Sequence, residues 1–488
     1  MRNSALDNMK TKTRLFIALC ATLACVAGAR AETPTLEQMQ AQLQAMQQMV
    51  TNLQQQIIDL KTQQSETVTT KTTGDTNQAL VFIAPTIKVP PQAAEVTSHE
   101  TFRDYQEGAP RAGNLTLDPQ YRGFMPIPNT PAFIKFNAKV KVDMTDDTQN
   151  SGNEDRFVTA QIPTKGETTH GQGNHFNVNA RGSALSVDVR APDFPGNPRF
   201  YYNNDFFGGG TGVQMGYRVK QLWGQYYNIT AGFTYSPFED PDVWPDTVDF
   251  EGPNSMIFAR QATLRYLWEI CEHWQMNAGL HQPASDIDTV GFTNVSSVNH
   301  APDAALNLRW EDKKVGHVQL AAILRDVGSD SPTIGNDSVF GWGLMAATSL
   351  NTYDKDSLQA QVTYGDGYFH YINDNFTYGG FNGGDAAFDS ANNLKALTCY
   401  SAMGGYTHYW SEKFRSTGTV GYVHLKNEFS EGPLAYHKTL YASANVVYQL
   451  RKRLSIGLEG LYGKKEVKNG ADGDVFRFQL GVQWGLWD

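Results

Sequence analysis

The sequence predicts an all-β transmembrane barrel of about sixteen antiparallel up-and-down strands, preceded by an α-helical coiled coil. Three observations carry that prediction. The closing segment, Asp474 to Trp487, sets Phe476, Phe478, Leu480, Val482, Trp484 and Leu486 on one parity and Arg477, Gln479, Gly481, Gln483 and Gly485 on the other. Side chains alternate across a strand, so this segment has one wholly apolar face and one polar or empty face. An export leader opens the chain, and the connections between candidate strands alternate between tight turns and long loops.

Composition agrees with many strands and turns: the 488 residues include 44 Gly and 12% aromatics. A mean hydropathy of −0.43, with no apolar run of about 18 residues, excludes a helical membrane protein. A barrel is compatible with both, because its strands show only every second residue to lipid. The net charge of −10 argues against a nucleic-acid partner.

Residues 1–31 read as a cleaved secretory signal: Lys10, Lys12 and Arg14 precede the apolar stretch Leu15 to Ala29, which ends in Ala29-Arg30-Ala31. Cys20 and Cys25 leave with it, and the expectation for Cys271 and Cys399 is two unpaired buried thiols. Residues 32–61 carry the seam Leu36, Met39, Leu43, Met46, Val50, Leu53, Ile57, Leu60, an a/d heptad pattern whose mostly Gln flanks choose no partner by charge and whose Leu, Val and Ile at a with Met and Leu at d leave dimer and trimer both open. Thr-rich and Pro-rich text over 62–130 is a linker, and 131–488 is the barrel.

The barrel strands are expected at 133–142, 175–189, 198–207, 213–227, 229–236, 256–268, 274–281, 303–312, 315–326, 339–350, 355–365, 395–410, 413–427, 437–450, 453–465 and 474–487. Connections after even strands are mostly tiny, as at Lys313-Lys314 and Arg451-Lys452, while those after odd strands are mostly long. A barrel with one tight rim and one loop-rich rim produces this alternation, and a Greek-key sandwich does not. Two connections break it, a short 208–212 and a long 190–198. Trp268, Trp274, Trp310, Trp410, Trp484 and Trp487 fall near strand ends, where interfacial girdles lie.

With the apolar parity toward outer-membrane lipid, the opposite parity lines a lumen and holds Lys135, Lys139, Lys141, Arg218, Lys220, Arg265, Arg309, Arg325 and Arg477. Arg181 and Arg199 join them, with a bulge at Gly182 shifting the register. A cation on the lipid face costs about 2 to 4 kcal/mol at the midplane, which forces this placement once the barrel is granted. The loop after strand five, Pro237 to Pro253, carries Glu239, Asp240, Asp242, Asp246, Asp249 and Glu251 with no Lys or Arg, and is stiffened by prolines. Folded inward, it narrows the lumen and sets a transverse field against the basic wall, filtering solutes by charge. A metal-binding role for this loop, and a calcium-like role for Asn469 to Asp474, are weaker readings; no metal or cofactor is expected. No G-x-S-x-G, H-E-x-x-H, C-x-x-C or phosphate loop is present, so an enzyme is not expected.

Tyr217-Arg-Val-Lys-Gln-Leu-Trp-Gly224, the acidic stretch Phe238 to Pro253 with its Asp-Phe-Glu-Gly-Pro ending, and Arg260-Gln-Ala-Thr-Leu-Arg265 resemble the DcaP-like trimeric porins of Gram-negative outer membranes. The resemblance implies a homotrimer, a periplasmic coiled coil, a third extracellular loop entering the lumen, and passage of small anionic solutes such as dicarboxylates. It also suggests Arg218, Lys220, Arg260 and Arg265 as anion contacts; of these, Arg260 stands on the outward parity of a regular strand. The function expected is a passive anion channel. The alternative is an envelope tether, in which the coiled coil engages peptidoglycan or periplasmic proteins and the barrel is an anchor.

Overall fold

The computed structural model describes residues 124–209, 215–292, 294–375 and 384–485. The leader, the heptad seam, most of the linker and the last three residues lie outside the described residues. Sixteen antiparallel strands close a barrel. They are β1 (Phe133–Asp147), β2 in two pieces (His175–Asn179 and Ala184–Arg190), β3 (Arg199–Asp205), β4 (Arg218–Tyr226), β5 (Ile229–Tyr235), β6 (Arg260–Cys271), β7 (Trp274–His281) and β8 (Asp303–Asp312). The circuit continues with β9 (Gly316–Asp330), β10 (Asp337–Asn351), β11 (Ser357–Asp366), β12 (Thr398–Ser411), β13 (Phe414–Leu425), β14 (Tyr436–Arg451), β15 (Leu454–Val467) and β16 (Asp472–Gly485). β16 pairs with β1 from Lys139 opposite Gly485 to Asp147 opposite Arg477, so the closing strand seals the barrel and leaves no edge there.

Each strand falls within a few residues of its expected place. The loop between β3 and β4 spans 206–217, longer than the 208–212 read from sequence, because β3 stops at Asp205 and β4 starts only at Arg218. That restores the long-loop side of the alternation, while 191–198 remains a long connection on the turn side. The bulge expected at Gly182 is present: between the pairs Asp143–Asn179 and Lys139–Ala184, β2 spends one more residue than β1. The inward parity of β2 therefore switches from odd to even, and Asp188 and Arg190 join Asn179 among the buried residues.

Sidedness follows the alternation. On β1, Phe136, Val140 and Met144 are exposed while Lys139, Lys141, Asp143, Thr145 and Asp147 are buried; on β16, Phe476, Phe478 and Trp484 are exposed while Arg477, Gln479 and Gln483 are buried. Trp268, Trp274, Trp410 and Trp484 stand exposed near the tight-turn rim. The apolar core lies inside the barrel, between the wall and two inward-folded loops. Phe238, Val243, Trp244, Met256 and Ile257 of the β5–β6 loop (236–259) and Tyr368, Phe369, Tyr371 and Ile372 of the β11–β12 loop (367–397) pack with Ala305, Ile323, Met345, Met403, Val423 and Leu425 of β8 to β13. Each large apolar side chain buried this way contributes about 1.5 to 3 kcal/mol. Both loops are thus held against the β8–β13 side. On the other side the wall is low, since β3 and β5 have 7 residues each against 15 in β9 and β10.

Candidate functional site

The β5–β6 loop is fastened to the inner wall by its own acidic groups. Arg309 of β8 donates to Asp240 (3.1 Å), lies 3.0 Å from Asp242 and donates to Glu311 (2.9 Å). His317 of β9 donates Nε2–H to Asp240 at 2.8 Å. Arg415 of β13 donates to Asp246 at 2.6 Å, and Lys141 of β1 donates to the Val248 carbonyl at 2.7 Å. Asp249 accepts from the backbone N–H groups of Phe157, Glu251 and Gly252 (3.2, 2.9 and 3.2 Å), with Arg477 4.0 Å away. Glu239 accepts from the Ala259 N–H at 2.8 Å, and Glu251 accepts from Arg156 of the β1–β2 loop at 3.0 Å.

The loop is folded inward, as expected, but its charges do not stand apart from the basic wall. The loop lies directly on the wall, and carboxylates meet cations pairwise. A buried carboxylate costs several kcal/mol unless a counter-charge and hydrogen bonds accompany it. Most of the loop's acidity is therefore consumed in docking, and a field built from such close pairs is local.

The wall cations named from sequence are largely held in the same way. Arg477 donates to both oxygens of Asp147 (2.5 and 2.7 Å), Arg181 lies 3.2 Å from Asp155, and Lys141 lies 2.9 Å from Asp143. Arg199 and Arg190 share Asp188 at 2.7 and 2.8 Å. Arg325 bridges Asp303 and Asp385 at 2.9 and 2.8 Å. Arg218 grips Asp205 with two bonds, 2.9 and 2.6 Å. Lys220 sits over the Phe250 ring at 5.2 Å and Lys135 over Phe124 at 5.7 Å, Lys139 is buried on β1, and Arg265 donates to the Tyr235 carbonyl at 3.0 Å.

Above the low wall a cavity of about 340 Å³ is lined by Arg156, Arg218, Glu251, Arg260, Gln261, Gln282, His370, Asn373 and Asn375, with Phe233 and Phe258 among the apolar members. Four loops meet the ends of β4, β5 and β6 here. Arg260 opens β6 opposite Tyr235, the last residue of β5, where loop packing replaces the in-out alternation, and this lets an outward-parity residue face the cavity. Its guanidinium stacks on Phe258 at 5.0 Å, and no hydrogen bond or ion pair to it is present among the described residues. His370 donates Nδ1–H to Asp286 at 2.8 Å and meets the Gln261 amide at 3.0 Å, so its ring orientation is fixed from both sides.

Of the predicted cations, this cavity unites Arg218 and Arg260, and of the predicted acids Glu251; Lys220, Arg265 and the remaining cations do not line it. Sequence reasoning missed Arg156, His370, Asn373 and Asn375, which sit on irregular loops without periodicity. Arg415 was missed although it shares parity with Thr417 and Thr419 on a predicted strand, which is a usable signal.

Two groupings place ligand-type atoms within 4.8 Å of one another, Asp240–Asp242–His317 and Asp286–His370–Asp385. An arginine already neutralises each of them: Arg309 on the first and Arg325 on Asp385 of the second. In the 469–474 stretch, Asp472 pairs with Lys165 and Lys464 at 2.7 and 2.9 Å. Cys271 and Cys399 are unpaired as expected, but Cys271, at the end of β6, is exposed and not buried.

A closed sixteen-strand barrel with a lipid-facing apolar skin, a polar interior and an inward-folded third loop defines an outer-membrane porin. The sequence profile of the DcaP outer membrane protein family matches residues 86–485, and the chain belongs to that family. Its fold is similar to the outer membrane channel DcaP of Acinetobacter baumannii, at a TM-score of 0.64 and 20% identity, covering 75% of this chain and 100% of that one. Weaker likenesses are to an anion-selective porin from Comamonas acidovorans (TM-score 0.47, 10% identity, 73% and 100% covered) and to OprB of Pseudomonas putida (TM-score 0.44, 12% identity, 72% and 94% covered). Among curated proteins no sequence match is found.

Proposed function

We propose that this porin is a passive, diffusion-driven channel for small anionic solutes, with dicarboxylates and other organic acids foremost, and that it works as a homotrimer. The observation that carries the proposal is the cavity beside the β5–β6 loop: Arg156, Arg218 and Arg260 face it against Glu251 as the lining carboxylate, and Arg260 gives its hydrogen-bond donors to no described protein group. A guanidinium with open donors suits a carboxylate, which accepts two parallel N–H bonds. Two further guanidiniums around the same cavity, Arg156 held by Glu251 and Arg218 held by Asp205, add positive charge that suits a solute with two carboxylates. The amides of Gln261, Gln282, Asn373 and Asn375 supply neutral donors and acceptors, so a bound anion exchanges water for weak contacts and leaves again. The other wall cations act by holding the loops that shape this space.

Reversal potentials in planar bilayers under a salt gradient test the proposal: anion preference is expected, and cation preference overturns it. Replacing Arg260 by Ala is expected to slow organic-acid influx into liposomes about tenfold while leaving a neutral sugar nearly unchanged, the loss of one desolvated charge-assisted contact being worth about 1.5 to 3 kcal/mol.

A further inference from the structure

We propose that Glu251 sets the channel's preference among anions by acting as an internal competitor: its carboxylate occupies Arg156, and an incoming solute carboxylate displaces it. This rests on the anion-channel reading above. Three features of the cavity mark Glu251 as exchangeable. First, its backbone is held independently of its side chain. The Glu251 N–H donates to Asp249 Oδ2 at 2.9 Å and its carbonyl accepts from Asn373 Nδ2 at 3.1 Å, so the loop keeps its course whichever way the carboxylate points.

Second, the grip on the carboxylate is single. Arg156 Nη1 meets Glu251 Oε2 at 3.0 Å. Asp205, by contrast, is 1% exposed, accepts two bonds from Arg218 and takes a third from the Phe207 N–H at 3.1 Å. A two-bond fork adds energy and a fixed geometry that a single contact lacks. Asp205 therefore stays, and Glu251 is the exchangeable anion of the set.

Third, Arg156 keeps its place without Glu251. Its guanidinium lies over the Phe207 ring at 5.3 Å, and Phe207 is itself packed on Phe250 with ring centroids 4.3 Å apart. When a solute carboxylate takes Glu251's position on Arg156, the guanidinium remains on its aromatic platform and presents the vacated donors to the solute. Arg260 is then the capturing group and Arg156 the receiving one. A monocarboxylate needs only Arg260, whereas a solute with a second carboxylate gains the exchange at Arg156 as well. Discrimination between one and two carboxylates thus depends on how strongly Glu251 competes.

The test uses full-length channels in planar bilayers, with acetate and succinate as probes, comparing wild type with Glu251→Gln, Glu251→Asp and Arg156→Gln. Glu251→Gln removes the competitor: the anion-to-cation permeability ratio is expected to rise about threefold, and succinate-induced closures to lengthen about tenfold with acetate closures little changed. Glu251→Asp keeps the charge and is expected to stay close to wild type. Arg156→Gln is expected to move both readouts the opposite way, because it leaves Glu251 unneutralised in the cavity. A merely structural ion pair predicts the reverse pattern: both neutral variants lower thermal stability alike and shift selectivity together or not at all. That result, or unchanged succinate closures in Glu251→Gln, overturns the inference while leaving an anion-selective wild type intact. A wild type without anion preference overturns the underlying channel reading instead.

Discussion

At the scale of single residues, the interior is a set of charges that are safe only in company. Arg477 is fully buried and serves Asp147 through two bonds, Ser151 at 3.1 Å and the Asn153 carbonyl at 2.7 Å, so one guanidinium ties β16 to β1 and to the β1–β2 loop. Replacing Arg477 by Met leaves Asp147 buried and unpaired. The expected loss is about 3 to 5 kcal/mol, read as a fall in the temperature at which the barrel unfolds in detergent. Glu431, in the β13–β14 loop (426–435), shows the opposite balance. Burial pushes its carboxyl up to about 7, against hydrogen bonds from the Glu428 N–H and from Asn427, with Asp288 nearby raising it further. A carboxyl whose folded pKa exceeds its unfolded value adds stability below the unfolded pKa and loses it as pH rises through the folded one. The loop is therefore expected to be better protected from amide exchange at pH 5 than at pH 8, and Glu431→Gln is expected to abolish that difference.

At the scale of elements, the β5–β6 loop needs gaps in the wall, and glycines on the lumen face supply them. A Cβ on Gly405 of β12 would stand 2.7 Å from the Pro245 ring, and one on Gly421 of β13 would stand 2.4 Å from Asn254 Oδ1 and 2.7 Å from Ser255 Oγ. Pro245 cannot swing aside as a flexible side chain does. Gly405→Val is expected to lift the loop from the wall at a cost of about 1 to 3 kcal/mol, seen as altered open-channel conductance together with a lower unfolding temperature. These contacts also mark where sequence legibility ended. The strands were legible because lipid imposes a two-residue period on each, and Phe476, Phe478 and Trp484 announce their face without help from any partner. Arg309 and Arg477 were legible as inward for the same reason, but their partners were not, since pairing depends on how loops from distant parts of the chain meet. Arg156 and His370 lie on such loops, where no period exists to be read. The acidic loop was recognisable as unusual from its composition, yet the same composition suits a loop facing the wall across a gap and one resting upon it. Only the pairing distances separate the two.

At the scale of the whole molecule, the barrel completes its own hydrogen bonding between Phe133 and Gly485. β16 returns to β1, and the short strand Met125–Pro126 pairs with Ile134 and Phe133 on the part of β1 that precedes the pairing with β16. Closure removes the exposed edges that would otherwise demand a partner. The interior is likewise filled by the chain's own loops, whose apolar side chains form the core with the β8–β13 wall. Both features are built from residues between Met125 and Gly485. A chain lacking Leu36 to Leu60 is therefore expected to fold to a barrel with the same single-channel conductance as the full chain and an unfolding temperature within a few degrees of it. Its reversal potential is expected to be unchanged, because Arg156, Arg218, Arg260 and Glu251 are all placed by barrel strands and their loops. Cells carrying the truncated chain separate the channel from the tether. Intact envelopes, judged by retention of a periplasmic enzyme, with normal organic-acid uptake are expected of a channel; leaking envelopes with normal uptake would make the 36–60 segment the working part and the barrel its anchor.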